Sequence, residues 1–336
     1  MRELKSGLEL ADRYTLVGRL ASGGTAEVWR ASDRLAATDV ALKIIVDPGL
    51  SPDILRREWQ LSIRLMHAHI VRAFEFHEDA SGAFYSLQFI DGPDVSVLAG
   101  ARATDVLRPI AAVADALRYA HGKDVVHRDI KATNVLLDHN GSPYLIDFGV
   151  ASTASAPVGG GSLIAASPEQ LAGAPPAPAD DIFALGGLVY ELVSGRSPYS
   201  SASTAEDIRD KVPEPLQAAN DEPVSPVVVD LVASMLAKDA ASRPAAADIV
   251  ATLAREGIHA GPADRRFVGS AAAVASEERI ESDAVVQRRG PHARPTAAPQ
   301  EESSAGGLNT TTVGLSLIHI SEPTRLDARS RMPSSA

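Results

Sequence analysis

Alternating apolar and polar positions mark the first part of this chain as a small sheet that is interrupted by one helix. Turn-forming residues separate short runs with the period of two that is typical of β-strands. The predicted strands are residues 14–17, 27–30, 40–45, 71–77 and 83–90. Residues 52–66 have helical spacing instead, with Ser51 as a cap and Pro52 at the first helical position.

From about residue 104 the apolar spacing becomes mostly helical. Residues 104–121 form the clearest amphipathic helix in this part of the chain. The predicted helices are residues 104–121, 179–194, 204–211, 226–237 and 244–256. A sheet with one helix, followed by mostly helices, predicts an α+β fold with two lobes and a cleft between them.

The character of the sequence changes after the last predicted helix. Residues 257–314 are rich in Ala, Ser, Pro, Arg and Glu and have no sustained periodicity, so we expect a disordered linker. Residues 315–336 match the translation of a transposase-library sequencing adapter in two blocks in the expected order. We therefore expect this last stretch to be an artefact, and the natural protein to continue past Gly314.

Composition and charge narrow the class of protein. The chain has 336 residues, 45% hydrophobic residues and a net charge of −11, which disfavours nucleic acid as a partner. It has no cysteine, which excludes disulfides and thiolate metal sites and fits a reducing cytoplasm. No run of eighteen apolar residues occurs and no apolar run follows the N-terminus, so we expect no membrane segment and no signal peptide in this chain.

Two motifs carry the chemistry. Residues 127–134 read HRDIKATN and residues 147–149 read DFG. Together they supply carboxylates, an ammonium and an amide at short spacing. Phosphoryl transfer from a nucleotide needs such a set, because a base, a cation and oxygen ligands for a metal ion must meet the phosphates.

On these motifs the chain resembles the protein kinase family, and specifically the bacterial serine/threonine kinases of eukaryotic type. The resemblance covers residues 10–256 and implies a protein-kinase-like fold. The small lobe, residues 10–90, has an antiparallel sheet and one helix, and the larger helical lobe covers residues 91–256. The resemblance also implies ATP as the phosphoryl donor and Mg²⁺ or Mn²⁺ as the metal ion.

The resemblance assigns roles to the residues of both motifs. Asp129 orients the substrate hydroxyl and accepts its proton, and Lys131 neutralises charge on the γ-phosphate. Asn134 and Asp147 bind the metal ions, and Phe148, next to Gly149, packs under the helix that carries Glu58. Lysine two residues after the aspartate is typical of serine/threonine kinases.

The nucleotide site is drawn from the sheet lobe by the same resemblance. Lys43 in the VALK motif holds the α- and β-phosphates and pairs with Glu58. In the glycine-rich loop, Gly23 is kept while alanines replace the outer two glycines, and Leu87 is the gatekeeper. The residues expected to surround ATP are Leu20, Ala21, Gly23, Gly24, Ala26, Val28, Ala41, Lys43, Gln88, Ile90 and Leu136.

Three further matches separate protein kinases from small-molecule phosphotransferases. Glu169 lies in an SPE sequence that resembles the end of an activation segment, and Arg243 is its expected buried partner. Asp181 resembles the helix residue that braces the catalytic loop. Because small-molecule kinases of the aminoglycoside type generally lack this set, it favours a protein substrate.

The activation segment between Gly149 and Ser167 is rich in glycine and uncharged. Arg128 is placed to hold a phosphate on this segment, and the candidate acceptors are Ser152, Thr153 and Ser155. Ser162 stands where relatives have a threonine that contacts the catalytic aspartate and lysine. The same loop serines are also common in unmodified flexible segments, so that alternative stays open.

Three functions remain open at this point. The first is a protein serine/threonine kinase that is active with ATP and Mg²⁺ and that phosphorylates other proteins and, through self-association, itself. The second is a pseudokinase that acts as a nucleotide-binding scaffold, which the altered glycine loop supports. The third is a small-molecule kinase. We expect the kinase domain in the cytoplasm, with any membrane anchor of the full-length protein in sequence beyond Gly314.

Overall fold

The computed structural model of the protein describes residues 3–47, 49–79, 82–148, 166–199, 204–220 and 222–268. The N-terminal part forms a six-stranded sheet in which every paired strand is antiparallel to its neighbour, in the order β1-β2-β3-β4-β6-β5. Its strands are β1 (Glu9–Leu10), β2 (Tyr14–Ser22), β3 (Ala26–Asp33), β4 (Thr38–Ile45), β5 (Ala73–Asp79) and β6 (Gly82–Gln88). One helix, α1 (Pro52–Ser62), lies between β4 and β5.

The pairing register divides the sheet into two faces. Val28 pairs with Lys43 and Lys43 pairs with Tyr85, so these side chains lie in a row on one face. Alternate residues on the other face, including Trp29 and Leu42, form a separate buried cluster. The row that contains Lys43 therefore faces α1, because Tyr85 clusters with Leu55 of that helix.

Local sequence determines where α1 begins and ends. The Ser51 hydroxyl accepts a hydrogen bond from the backbone nitrogen of Asp53, and Pro52 occupies the first turn. The spacing predicted a helix that continues to residue 66, but α1 ends at Ser62. Tight turns follow it, and they carry Leu65 into the core of the other lobe.

The second lobe is built around two buried helices. Its helices are α2 (Ala103–His121), α3 (Pro168–Leu171), α4 (Pro178–Ser194), α5 (Ala205–Asp210), α6 (Pro226–Met235) and α7 (Ala246–Arg255). A short hairpin, β7 (Val135–Leu137) and β8 (Pro143–Leu145), lies between α2 and α3 in sequence. Single 3₁₀ turns occur at Val95–Leu98, Ala132–Asn134 and Ala240–Ser242.

Close packing between α4 and α6 requires a glycine. A Cβ added at Gly186 would lie 2.8 Å from the Cβ of Met235, so the two helices could not approach this closely with any larger residue. Most of the side chains of α4 are buried. This helix is therefore part of the core of the second lobe.

The two lobes meet beside the β7–β8 hairpin. The backbone nitrogen of Val71 donates to the carbonyl of Leu145, and the backbone nitrogen of Leu137 donates to that of Pro93. The predicted α+β fold with two lobes is confirmed. In the part of the chain that the structure describes, no helix combines the length and apolar character needed to cross a membrane.

The structure refines the predicted end of the folded part. The sequence placed the start of a linker at residue 257, but residues 258–268 pack on the helical lobe, where Ala263 and Val268 are buried. Residues 269–314 of that predicted linker, and the predicted adapter at 315–336, lie outside the described residues.

Candidate functional site

A cluster of charged groups spans the cleft between the lobes. Lys43 on β4 donates from Nζ to Oε1 of Glu58 on α1 at 2.5 Å, and it also donates to Oδ1 of Asp147. The hydroxyl of Tyr85 donates to the same Oε1 of Glu58 at 2.6 Å. Lys43 thus joins the sheet, α1 and the segment that follows β8. The contact with Glu58 is the pairing that the resemblance implied.

The charge of Lys43 favours the ionised forms of both carboxylates, and they in turn favour its ammonium form. Burial disfavours the ammonium of Lys43, but the charges of Asp147 and Glu58 outweigh burial and raise the pKa of Lys43. Burial raises the pKa of Glu58, although the charge of Lys43 opposes the change. The Asp147 side chain is 41% exposed. Partial burial in the cleft raises its pKa, but the charge of Lys43 outweighs burial, so the pKa of Asp147 is lowered overall. A positive charge is therefore held firmly at the cleft.

A second cluster lies on the loop after α2. Oδ2 of Asp129 accepts from Nζ of Lys131 at 2.7 Å and from Nδ2 of Asn134 at 2.9 Å. Nδ2 of Asn134 also donates to the backbone carbonyl of Asp129 at 2.7 Å. Nδ2 of Asn134 is the donor in both of its bonds to Asp129, so Oδ1 of Asn134 is left to bind a cation.

The loop that carries this cluster is fixed from below by a buried carboxylate on α4. Asp181 accepts from the backbone nitrogen of His127 at 2.8 Å and from that of Arg128 at 2.7 Å. Nε2 of His121 lies 2.7 Å from the same carboxylate. Charge-assisted bonds of this kind are stronger than neutral ones, so Asp181 fixes the shape of the loop.

Backbone strain accompanies this bracing. Arg128 has φ of 72° and Asp147 has φ of 62°, both in the left-handed region that side chains other than glycine rarely adopt. Such conformations cost about 1–3 kcal/mol each and persist where the surroundings fix them. Asp181 supplies that fixation at Arg128.

His127 joins the loop to the segment that contains Asp147. Its Nε2 lies 2.9 Å from the carbonyl of Ile146, and its Nδ1 accepts from the backbone nitrogen of Asp129. The ring is therefore protonated at Nε2 and unprotonated at Nδ1. It also packs edge-on against Phe148, which is buried in the core cluster against which Leu61 of α1 packs.

Part of the expected nucleotide-binding set lies on the sheet face that contains Lys43. Ala21 pairs with Val28, Val28 with Lys43 and Ala41 with Leu87, so these side chains share the face that contains Lys43. Gly23 and Gly24 lie in the exposed turn between β2 and β3, and Ala26 is the half-buried first residue of β3. Leu20, near the end of β2, is 44% exposed. Gln88 ends β6 and Ile90 follows it, while Leu136 lies on β7 in the other lobe.

The ion pair expected between Glu169 and Arg243 is present. NH2 of Arg243 donates to both carboxylate oxygens of Glu169, at 3.0 and 2.8 Å. The buried guanidinium also donates to the carbonyls of Ala237 and Ala179. Arg243 thus ties α3 to α4 and to the loop after α6.

Several expected site residues cannot be placed. Gly149 and Ser162, and the candidate phosphate acceptors Ser152, Thr153 and Ser155, lie outside the described residues. Their roles stay predictions.

Sequence reasoning missed residues that contact the site. Tyr85 and His121 act through long-range contacts, and Gln170 donates from Nε2 to the carbonyl of Arg128 at 3.2 Å. The signal for Tyr85 was a tyrosine among apolar residues of a strand in the core of the sheet, because a buried hydroxyl needs a partner. Gln170 closes a capping box with Ser167, a pattern that is visible in the sequence SPEQ.

Comparison with known proteins agrees with this geometry. The family model described as "Protein kinase domain" matches residues 14–253. The chain is 31% identical over 278 residues to the probable serine/threonine-protein kinase PknB of Corynebacterium glutamicum. The aligned region covers 73% of this chain and 42% of that protein.

Two other relatives give a similar picture. Identity is 31% over 261 residues to the DNA damage-responsive serine/threonine-protein kinase RqkA of Deinococcus radiodurans, covering 72% of this chain and 39% of the relative. The chain is 30% identical over 325 residues to the serine/threonine-protein kinase PknD of Mycobacterium tuberculosis, and the aligned region covers 88% of this chain and 46% of the relative. The chain thus spans less than half the length of these relatives.

Proposed function

Because this chain belongs to the protein kinase family, we propose that its domain transfers the γ-phosphoryl group of ATP to serine and threonine hydroxyls of proteins. One observation carries the proposal. Lys43 bridges Glu58 and Asp147 across the cleft while Asp129, Lys131 and Asn134 form a second polar cluster on one loop. The first set suits the phosphates of a nucleotide, and the second suits a hydroxyl and the phosphoryl group that moves to it.

The proposed transfer is a single displacement. The substrate hydroxyl oxygen bonds to the γ-phosphorus as the bond from that phosphorus to the bridging oxygen breaks. Asp129 orients the hydroxyl and accepts its proton, and ADP leaves. Lys131, whose Nζ lies 2.7 Å from Asp129, offsets the negative charge on the γ-phosphate. Lys43 holds the α- and β-phosphates. Glu58 fixes the position of Lys43, and the Tyr85 hydroxyl donates to Glu58.

The metal-binding residues in this proposal are Asn134 and Asp147. An amide oxygen and an ionised carboxylate are the hard donors that Mg²⁺ or Mn²⁺ prefers, and such ions take further ligands from phosphate and water. Among the described residues no group of three or more His, Cys, Asp or Glu side chains forms a metal cage, which suits an ion held jointly with a nucleotide. The ion would neutralise phosphate charge.

Adenine is proposed to lie at the junction of the lobes. The backbone groups of Gln88 and Ile90 hydrogen-bond the base, and the side chains that enclose it are Leu20, Val28, Ala41 and Leu136. Phosphate oxygens face Gly23 and Gly24 in the turn between β2 and β3 and the flanking strand residues Ala21 and Ala26. Leu87 limits the depth of the pocket from its position beside Ala41.

The proposed substrates are proteins, and they include a second copy of this chain. The tie between Glu169 and Arg243 fixes the end of the activation segment, which supports a surface for an extended peptide. Arg128 is proposed to hold a phosphate added to Ser152, Thr153 or Ser155, and Ser162 is proposed to contact Asp129. Mass spectrometry of active protein, with and without phosphatase treatment, tests the acceptor sites.

The location of the longer protein is a separate part of the proposal. We propose that this domain acts in the cytoplasm and that any membrane anchor of the longer protein lies in sequence that follows it. Fractionation of cells that express the full-length gene tests both statements.

The activity is tested by transfer of labelled phosphate from ATP and Mg²⁺ to the chain itself and to a generic basic protein. Asp129→Asn should lower the rate by about 10²–10⁴-fold, the range for a positioned general base. Asp230→Asn, an exposed carboxylate on α6, is the matched control and should leave the rate unchanged. Equal rates for wild type and Asp129→Asn would contradict the assignment of Asp129.

A further inference from the structure

The chain reverses direction after α7 and does not leave the domain there. Gly257 has φ of 75°, its backbone nitrogen donates to Ala254, and that of Ile258 donates to the carbonyl of Leu253. This pair of bonds is a Schellman motif, and the Ile258 side chain packs against the core that contains Leu253. We name residues 258–268 the C-terminal strap.

The C-terminal strap is attached to the helical lobe by backbone and side-chain bonds. The backbone nitrogen of Ala263 donates to the carbonyl of Gly141 at 2.8 Å, and NH2 of Arg265 donates to Oδ1 of Asn140 at 2.6 Å. Ala263 is 4% exposed and Val268 is 5% exposed. Burial together with hydrogen bonding at both ends makes this an ordered contact.

The receiving surface is the turn of the β7–β8 hairpin. Gly141 has φ of 82°, and a Cβ added there would lie 2.3 Å from the carbonyl oxygen of Ala263. Asp138 shapes this turn, because its Oδ1 accepts from the backbone nitrogens of Asn140 and Ser142. A glycine at 141 is therefore required both by the backbone conformation and by the approach of the strap.

The opposite side of the same hairpin touches Gly92 and Pro93, which we call the connection between the lobes. A Cβ added at Gly92 would lie 1.9 Å from the carbonyl oxygen of Leu137, and the backbone nitrogen of Leu137 donates to Pro93 at 2.8 Å. The hairpin is thus held between the lobe connection and the strap. It carries Leu136, and Asp147 follows two residues after its second strand.

We propose that the C-terminal strap positions the β7–β8 hairpin for nucleotide binding. The inference rests on the proposed function, since Leu136 and Asp147 are the hairpin-linked groups assigned there to adenine and to the metal ion. By pressing on the turn at Gly141, the strap sets the distance between Leu136 and the lobe connection. Loss of the strap contact therefore weakens binding of the nucleotide without changing recognition of the protein substrate.

The first experiment compares Gly141→Ala with Gly7→Ala in the full chain. Gly7 has φ of 83° and meets no atom within 4 Å, so both variants carry the same backbone strain and only Gly141→Ala meets the strap. We expect Gly141→Ala to raise the Kd for Mg·ADP, measured by calorimetry, about two- to tenfold, as for loss of one net hydrogen bond. Gly7→Ala should bind like wild type.

The second experiment is independent of folding at residue 141. Arg265→Ala removes the hydrogen bond from the strap to Asn140. A chain that ends at residue 257 lacks the whole strap, and a chain that ends at residue 268 keeps it. The variant ending at 257 and Arg265→Ala should raise KM for ATP, while KM for the protein substrate stays at the wild-type value. The chain that ends at 268 should match the full chain in both constants.

The outcomes separate the two proposals. If wild type binds no Mg·ADP, the proposed function is wrong. If wild type binds and folded variants that lack the strap contact bind equally well, the positioning role is overturned. Equal rises in KM for ATP and for the protein substrate would also overturn it, because that result would indicate a general structural effect.

Discussion

The two segments that we propose to face the phosphates are built in opposite ways. The turn at residues 23–25 is exposed, and the backbone nitrogen of Gly23 donates across it to the carbonyl of Ala26 at 3.0 Å. The loop at residues 127–134 is held by Asp181, which lies on a buried helix, and by Gln170. The contrast teaches that the fixing contacts are concentrated at the loop to which we assign the proton acceptor, while the turn proposed for the phosphates is exposed to solvent.

The largest effect is expected from breaking the brace under the loop. Asp181→Asn replaces a carboxylate that accepts two backbone bonds, so we expect a loss of about 1.5–3 kcal/mol in free energy of unfolding. We also expect kcat to fall at least about tenfold, because a small misplacement of reacting groups is costly. Denaturant unfolding and steady-state rates measure the two effects.

Asp180 is the control for this variant. It is also buried on α4, but its carboxylate accepts from Ser167 and Ala177 and not from the loop that carries Asp129. Asp180→Asn should lower stability with a smaller change in kcat. A wild-type kcat in folded Asp181→Asn would show that the loop keeps its shape without the brace.

An intermediate effect is expected from the cluster that joins the lobes. The Tyr85 hydroxyl stabilises ionised Glu58, so Tyr85→Phe should raise the pKa of Glu58 further. Protonated Glu58 cannot pair with Lys43, so activity should be lost at a higher pH as the pH falls. We also expect the Kd for Mg·ADP to rise about two- to tenfold.

The pH–rate profile of Tyr85→Phe tests this expectation against Tyr14→Phe. Tyr14 is equally buried but packs on the opposite face of the sheet, so its variant should keep the wild-type acid limb. Coincident acid limbs for all three proteins would mean that Tyr85 does not act on Glu58.

The smallest effect is expected at the exposed turn. A Cβ at Gly24 meets no atom within 4 Å, so Gly24→Ala should change the Kd for Mg·ADP less than about twofold, and Ala26→Gly should keep or improve affinity. Gly23→Ala is the comparison, because its Cβ would lie 3.3 Å from the carbonyl oxygen of Ala26. A severe loss in Ala26→Gly would contradict the placement of phosphate at this turn.

Features encoded in short stretches of sequence were predictable. The strands around Val28 and Lys43 follow from alternation, and the pairing of Lys43 with Glu58 was implied by the resemblance to protein kinases. The roles of Asp129 and Asn134 rest on one local motif and stay predictions until the rates are measured. The two-lobed order of elements also followed from periodicity alone.

Features that depend on distant partners were not predictable. Tyr85 meets Glu58 only because the β4–β6 register places it beside Lys43. His121 meets Asp181 across 60 residues of sequence. The sequence assigned residues 258–268 to a linker because they have no long periodic pattern. Their ordered position instead depends on a Schellman motif and on Gly141, which has no Cβ to clash with Ala263.

The brace at Asp181 also has a consequence for how the protein acquires its shape. The carboxylate lies 54 residues after His127 and 53 after Arg128, so closing these contacts costs more chain entropy than closing a hairpin. During synthesis the loop leaves the ribosome well before α4, and it stays without its brace until that helix docks. The sheet lobe, whose strand pairs are mostly local, can form earlier. Competence for phosphoryl transfer is therefore a late event in the folding of this chain.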